Sequence, residues 1–257
     1  MAAMVAQSAP KRARERARAE LIAEITDTAR AHLGRHGAAG LSLRAVSRDL
    51  GMASSALYRY FPNRDALLTT LIVDAYTALS DACAAAHAEI DASDLLGRWR
   101  AIAHAARHWA RSHPHEYALI YGSPVPGYAA PTDTIDPATR VPGMLMALLQ
   151  DVDAAGPAHR GGDLPVPEGL AAQIDALQAS AGITVDRSLL LDGIGAWVLL
   201  FGMLNFELFG QFHNVFDDAN ELFAHQVDLM AARLGLEPSH PRPPPTPNTP
   251  TSQEPPT

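Results

Sequence analysis

With one cysteine, Cys83, the chain cannot form an intrachain disulfide, so its stability has to come from buried apolar side chains. Charge is scarce too: 19% of residues are Asp, Glu, Lys or Arg against 47% apolar, enough to build a sizeable core. Long apolar runs are missing. The greasiest stretch, Gly193 to Phe206, has 14 uncharged residues between Asp192 and Glu207, short of the roughly 20 that span a bilayer. The first residues carry no apolar run followed by a cleavage site, so no secretory leader is expected. No stretch of any length alternates apolar and polar residues as a strand does. These absences predict an all-α, soluble, cytoplasmic protein without membrane partners.

The charge that is present is unevenly placed. Residues 1–66 carry 11 Lys/Arg against 6 Asp/Glu, and the remainder carries 9 against 22. A basic end on an acidic body is the pattern of a DNA-binding head on a second domain. Residues 1–18, with KRARERAR, read as a mobile basic arm or as a solvated extension of the first helix. From Ala19, Leu21, Ile22, Ile25, Ala29 and Leu33 recur at helical spacing until Gly34 or Gly37. A short helix follows over 43–50, capped by Ser42 and stopped by Gly51, and then the helix containing SSALYRYF, broken by Pro62. Longer helices are expected at 65–87, 94–112, 114–121, 138–154, 167–181, 186–211 and 216–235, with a proline-rich loop over 122–137. The last twenty residues hold nine of the twenty prolines and predict a disordered tail, 237–257.

In the segment GMASSALYRYFPNRDALL, Tyr58, Arg59 and Tyr60 stand side by side, and three consecutive helical positions cannot all face one core. Leu43, Val46, Leu50, Met52, Leu57 and Phe61 make an inner side for two short helices, with Ser47 small enough for a close crossing and Gly51 at the turn. That is a helix-turn-helix, whose second helix enters the major groove of double-stranded DNA. Ser54, Ser55 and Arg59 then face base edges, where a guanidinium grips guanine O6 and N7. Tyr58 and Tyr60 suit phosphate and sugar contacts.

Over residues 21–68 the pieces GRHGAAGLSLRAVSRDLG, GMASSALYRYF and NRDALL resemble, in order and register, the DNA-binding domain of the TetR family of transcriptional repressors. The resemblance implies further DNA contacts from Ser42 and Arg44, and a phosphate contact from Arg64. Ala53 stands where that family commonly has a capping Ser or Thr, which makes Ser54 an alternative cap. It also implies three units after the arm: a head over 19–64, a sensing and dimerisation bundle over 65–236, and the tail. Two-fold pairing is expected through 186–235, where Leu190, Ile194, Trp197, Val198, Phe201, Phe216, Phe223, Val227 and Met230 offer more apolar surface than one hairpin needs. HPHEYALIYGSPVPGY and AWVLLFGMLNFELFG resemble a subgroup with a Trp and a His-Gly pair in the penultimate helix; Trp197 and Gly202 are present, and Phe201 replaces the His.

A small-molecule effector is implied as well, in a pocket between helices 94–112, 114–121, 138–154 and 186–211. Its expected lining is Trp99, Ile102, Trp109, Tyr117, Tyr121, Met144, Leu148, Trp197, Phe201 and Asn205, each of which also suits an ordinary core. Glu207, in a greasy stretch, is either a polar anchor for the ligand or the partner of a neighbouring helix. His104 and His108 lie four apart on one helix face, but no Cys or carboxylate joins them there, so neither a metal nor any other cofactor is assigned. Cys83 reads as a small core hydrophobe. The expectation is a regulator and not an enzyme: a dimeric repressor of a palindromic operator, with an activator or a ligand-independent regulator as the alternative. A metal-dependent all-α enzyme using His104, His108 and Glu116 is the rival from another class.

Overall fold

A computed structural model of the chain describes residues 9–156 and 165–236, and every regular element in them is helical. In order these are α1 (Ala9–His36), α2 (Leu43–Asp49), α3 (Ser54–Leu57), α4 (Arg64–Ala88), α5 (Leu95–Ser112), α6 (Pro114–Tyr121), α7 (Ile135–Ala154), α8 (Glu168–Ala181), α9 (Arg187–Leu208) and α10 (Asn220–Arg233). The proline-rich tail expected over 237–257 and the first eight residues of the arm lie outside the described residues.

Three boundaries differ from the sequence reading, and the basic arm takes the second of its two readings, an extension of the first helix. Lys11–Arg18 is the exposed start of α1: Ala, Arg, Lys and Glu are strong helix formers, and Pro10 sits at the helix start, where its missing N–H costs nothing. The helix of SSALYRYF is one α-turn. After Leu57 the pattern is mixed: Arg59 N donates to Ala56 O and Tyr60 N to Leu57 O, three residues back, while Phe61 N reaches Leu57 O. Pro62, which disfavours helical geometry in the residue before it, keeps the helix from going on. α7 starts at Ile135, fed by a 3₁₀ turn at Thr132–Thr134, and carries Pro137 in its first turn. The last two helices are shorter than expected, and the turn between them uses positive φ at Gly210 and Asn214.

Two apolar clusters divide the molecule. The head cluster joins Ile25, Ala29 and Leu33 of α1 to Leu43, Val46, Leu57 and Phe61, and to Leu67, Leu68 and Leu71 of α4. The body cluster begins at Ala75, Leu79 and Cys83 of the same helix and continues through α5, α7, α9 and α10. α4 is therefore a shared beam, and two of its turns belong to the head core. Its start is fixed by Asn63, whose side chain accepts from Ala66 N at 2.8 Å. By length and composition α4 and α9 would each be long enough to cross a membrane. α4 instead buries its apolar positions in both clusters, and α9 buries one side in the body.

Candidate nucleic-acid interface and cavities of the body

The turn between α2 and α3 is made by Gly51 at φ +63°, a region that a side chain would strain. Met52 N donates to Ser47 O at 2.8 Å, and Ser47 Oγ donates to Arg44 O and bonds Ser54 Oγ at 3.0 Å. That hydroxyl pair ties α2 to α3, so Ser54 faces its neighbour helix and makes no cap; Ala53 holds the cap position without a side-chain bond. Arg44, Ser55, Tyr58 and Arg59 are all exposed. Ser42 is half-buried at the start of α2 and makes no side-chain cap bond.

Two of the expected contacts are engaged within the head. Tyr60 is half-buried against the head core, with the Arg18 guanidinium 5.0 Å from its ring centroid. Arg64 donates from Nη2 to Ala38 O at 2.8 Å and from Nε to Leu41 O at 3.2 Å, so it braces the corner between α1 and α2. A third head contact was missed from sequence. His32, 3% exposed, lies with Nε2 2.7 Å from Asp49 Oδ2, and this bond with Arg35 holds the Asp49 carboxyl below its ordinary pKa despite some desolvation. Its signal was a polar residue on the stripe of Ile25, Ala29 and Leu33.

The head meets the body through Arg30. Its guanidinium pairs with Asp27, with Asp74 of α4 at 2.8 Å and with Glu116 of α6 at 3.3 Å. Beside it α6 packs closely on α1: a Cβ at Gly34 would stand 3.1 Å from the His115 ring.

The ten residues expected to line a pocket fall into two groups. Trp99, Ile102, Trp109, Tyr117, Leu148 and Phe201 are buried core. Trp99 Nε1 donates to Val227 O at 2.9 Å, and Trp109 stacks on His113 at 5.2 Å. Tyr117, Tyr121, Trp197 and Phe201 do form one aromatic chain, with Tyr121 and Phe201 centroids 4.4 Å apart. Met144 and Asn205 are half-buried, and the buried Trp197 Nε1 and Asn205 Oδ1 have no hydrogen-bond partner.

The cavities described open elsewhere, and none of the ten lines them. A chamber of about 490 Å³ lies between Ile72 and Tyr76 of α4, Leu119 and Ile120 of α6, the 122–130 segment with Tyr128, and Thr134, Ile135, Ala138 and Thr139. A cleft of about 380 Å³ separates the head corner (Leu33, Ala38, Ala39) from α6 and the same segment. Leu119, Ser123, Pro124 and Val125 line both, so one strap is the wall between them. Tyr128 pins the strap to α4 through Thr69 Oγ1 at 2.9 Å. A third hollow, about 720 Å³, runs over α9 and α10 between Gly195, Val198, Leu199, Gly202, Phe206, Phe216 and Leu222.

The remaining polar candidates have structural partners. Glu207 takes a bidentate pair from Arg107, both bonds 2.8 Å, and is joined by Arg111 at 3.6 Å. His104 lies edge-on to Phe223, and its pKa is lowered chiefly by burial. Among the described residues no three His, Cys, Asp or Glu side chains come together as a metal site. Burial pushes the Cys83 thiol up to about 12, which keeps it protonated and inert.

The comparisons with known proteins agree with this division into head and body. Residues 25–71 match the model of bacterial regulatory proteins of the tetR family, and residues 99–230 match the tetracyclin repressor-like C-terminal domain. The HTH-type transcriptional regulators Mb1846 of Mycobacterium bovis and Rv1816 of Mycobacterium tuberculosis are each 39% identical over 223 residues, 86% of this chain and 95% of theirs. The crystal structure of the regulatory protein SCO4313 is 37% identical, with a TM-score of 0.67 over 85% of this chain and 98% of that one. The TetR-family regulator PfmR of Thermus thermophilus, at 18% identity and a TM-score of 0.51 over 83% of this chain and 99% of that one, shares the fold. A helix-turn-helix head matched over 25–71, a body matched over 99–230 and relatives 39% identical over 86% of the chain leave one assignment: the chain belongs to the TetR family of transcriptional regulators.

Proposed function

We propose that the protein is a cytoplasmic, one-component repressor that binds a pseudo-palindromic operator as a homodimer and leaves it when a small effector fills the chamber between α4, α6, the strap and α7. The observation that carries this reading is the shared wall. A ligand that displaces Leu119, Pro124 and Val125 from the body side alters the cleft against the head corner on the other. The head is already tied to the same helices by Arg30, so the wall and the clasp act on one joint. The effector favours the head spacing that cannot span the two half-sites, since equal affinity for both states would shift nothing.

On DNA, Arg59 reads a base edge, Arg44 and Ser55 lie beside it, and Tyr58 holds a phosphate. Ser54 and Arg64 shape the unit from within, while Arg18 and Tyr60 extend its basic side toward the backbone. The test is a titration of the full chain on its operator and on single-base variants. Arg59→Ala costs about 1–3 kcal/mol and relaxes preference at one base pair per half-site. Tyr58→Phe weakens all sequences alike. Unchanged base preference with Arg59→Ala would sink the assignment.

A further inference from the structure

Four of the five side-chain hydroxyls lining the chamber have already given their protons away, and the fifth, Ser123, lies exposed on the strap. Tyr76 donates to Ile120 O at 3.2 Å, Thr134 to Pro131 O at 2.8 Å and Thr139 to Asp136 O at 2.9 Å. Tyr128 is bonded to Thr69 Oγ1, and Thr69 spends its own proton on Asp65 O at 2.9 Å, so Tyr128 is the donor of that pair. A hydroxyl that has donated still offers lone pairs. Four oxygens of the lining therefore remain as acceptors, and burial, which raises the Tyr76 pKa, keeps that phenol in its neutral form. No Asp, Glu, Lys, Arg or His is among the lining residues.

From this we infer that the chamber selects an uncharged, largely apolar molecule bearing a hydroxyl or N–H donor, such as an alcohol, phenol or amide, and rejects carboxylates and other anions. The inference rests on the reading of the chamber as the effector site, and it names the chemistry that site accepts. A ligand that only accepts, such as an ether, meets four sets of lone pairs. The one side-chain donor left to it is Ser123, exposed on the strap where water competes, and any other bond breaks one that the wall already makes. An anion loses its water and finds no cation in return. The apolar share of the wall, from Ile72, Leu119, Val125, Ile135 and Ala138, covers the rest of the molecule, and about 490 Å³ falls in the ~300–1,000 Å³ range of small-molecule sites.

Three probes of one shape test this: 4-butylphenol, its methyl ether 4-butylanisole, and 4-butylbenzoate, each titrated calorimetrically into the full chain. The phenol is expected to bind about tenfold or more tightly than the ether, and the benzoate about a hundredfold more weakly than the phenol or not at all. Tyr76→Phe combined with Thr139→Val removes two acceptors and narrows the phenol-to-ether ratio. Ala138→Trp, which fills the chamber, abolishes phenol binding. Equal affinity for phenol and ether, preference for the benzoate, no binding of any probe, or an unchanged ratio in the double variant overturns the inference. Phenol binding undiminished by Ala138→Trp overturns it too. Adding the phenol to a preformed protein–operator complex separates the two levels: selective binding without release of DNA sinks the effector role and leaves the donor-selective site standing.

Discussion

His104 shows how the surroundings of a side chain, more than its spacing, set its chemistry. Four residues before His108, it looks like half of a metal site, yet its ring lies 5.4 Å from Phe223, and burial together with nearby Arg107 lowers its pKa from 6.5. His87, beside Arg98, is shifted the same way, again first by burial. A histidine depressed in the folded state binds fewer protons there than in the unfolded chain. Its contribution is complete above the unfolded pKa and is lost as pH falls from about 6.5 toward the folded value. The body is therefore expected to melt at lower temperature at pH 5.5 than at pH 7.5, and His104→Gln should flatten part of that slope. Melting temperatures measured across that window decide it, and an identical slope in the variant would remove His104 as a cause.

Among the elements, legibility followed the range of the forces involved. α6 has the expected ends, because His113-Pro114 opens it and Gly122 closes it locally, and α4 and α5 came within a residue for the same reason. The hydroxyl bond between Ser47 and Ser54 and the brace from Arg64 to Ala38 are contacts between elements, and no periodicity announces them. The cavities were the least legible. They depend on how the strap lies between α4, α6 and α7, whereas an aromatic stripe such as Trp99–Trp109 suits a lining and a core equally by sequence and is buried in the structure. The clasp of Arg30 belongs to this scale as well. Burial raises the Asp74 pKa in spite of Arg30, so desolvation offsets what the pair gains, and the clasp positions α1 more than it stabilises the fold. Arg30→Met should change unfolding free energy by no more than about 1–2 kcal/mol. It should nonetheless broaden the distribution of head-to-head distances measured with spin labels on α2. A narrow, unchanged distribution would show that Gly34 against His115 and the apolar contacts hold the head by themselves.

For the whole molecule, the decisive feature is which apolar residues the single chain leaves uncovered. Several members of the expected dimer surface, including Phe223, Val227 and Met230, are spent on the chain's own core. Among the exposed apolar residues, Val198, Leu199 and Phe206 of α9 and Phe216 stand around a floor opened by Gly195 and Gly202, and Phe209, Val215 and Leu229 of the same hairpin are exposed as well. A contiguous apolar hollow of this kind, on the two terminal helices, fits a copy of the same hairpin across a two-fold axis. The distinction sets apart two kinds of variant. Phe223, 1% exposed, cannot become Asp without unfolding the body, because the charge would have no water and no partner. Val198 and Phe206 are 62% and 53% exposed, so glutamate at either leaves the isolated chain intact and places like charges face to face across the axis. Light scattering after gel filtration should then give twice the 27.4 kDa chain mass for the parent and the single mass for Val198→Glu with Phe206→Glu, with unchanged helical circular dichroism. Operator affinity should collapse with the dimer, since one head reads only one half-site of a pair about one helical turn apart or a multiple of it. A folded variant that keeps the doubled mass would move the two-fold contact off this face, and full operator affinity from a proven monomer would remove the need for pairing altogether.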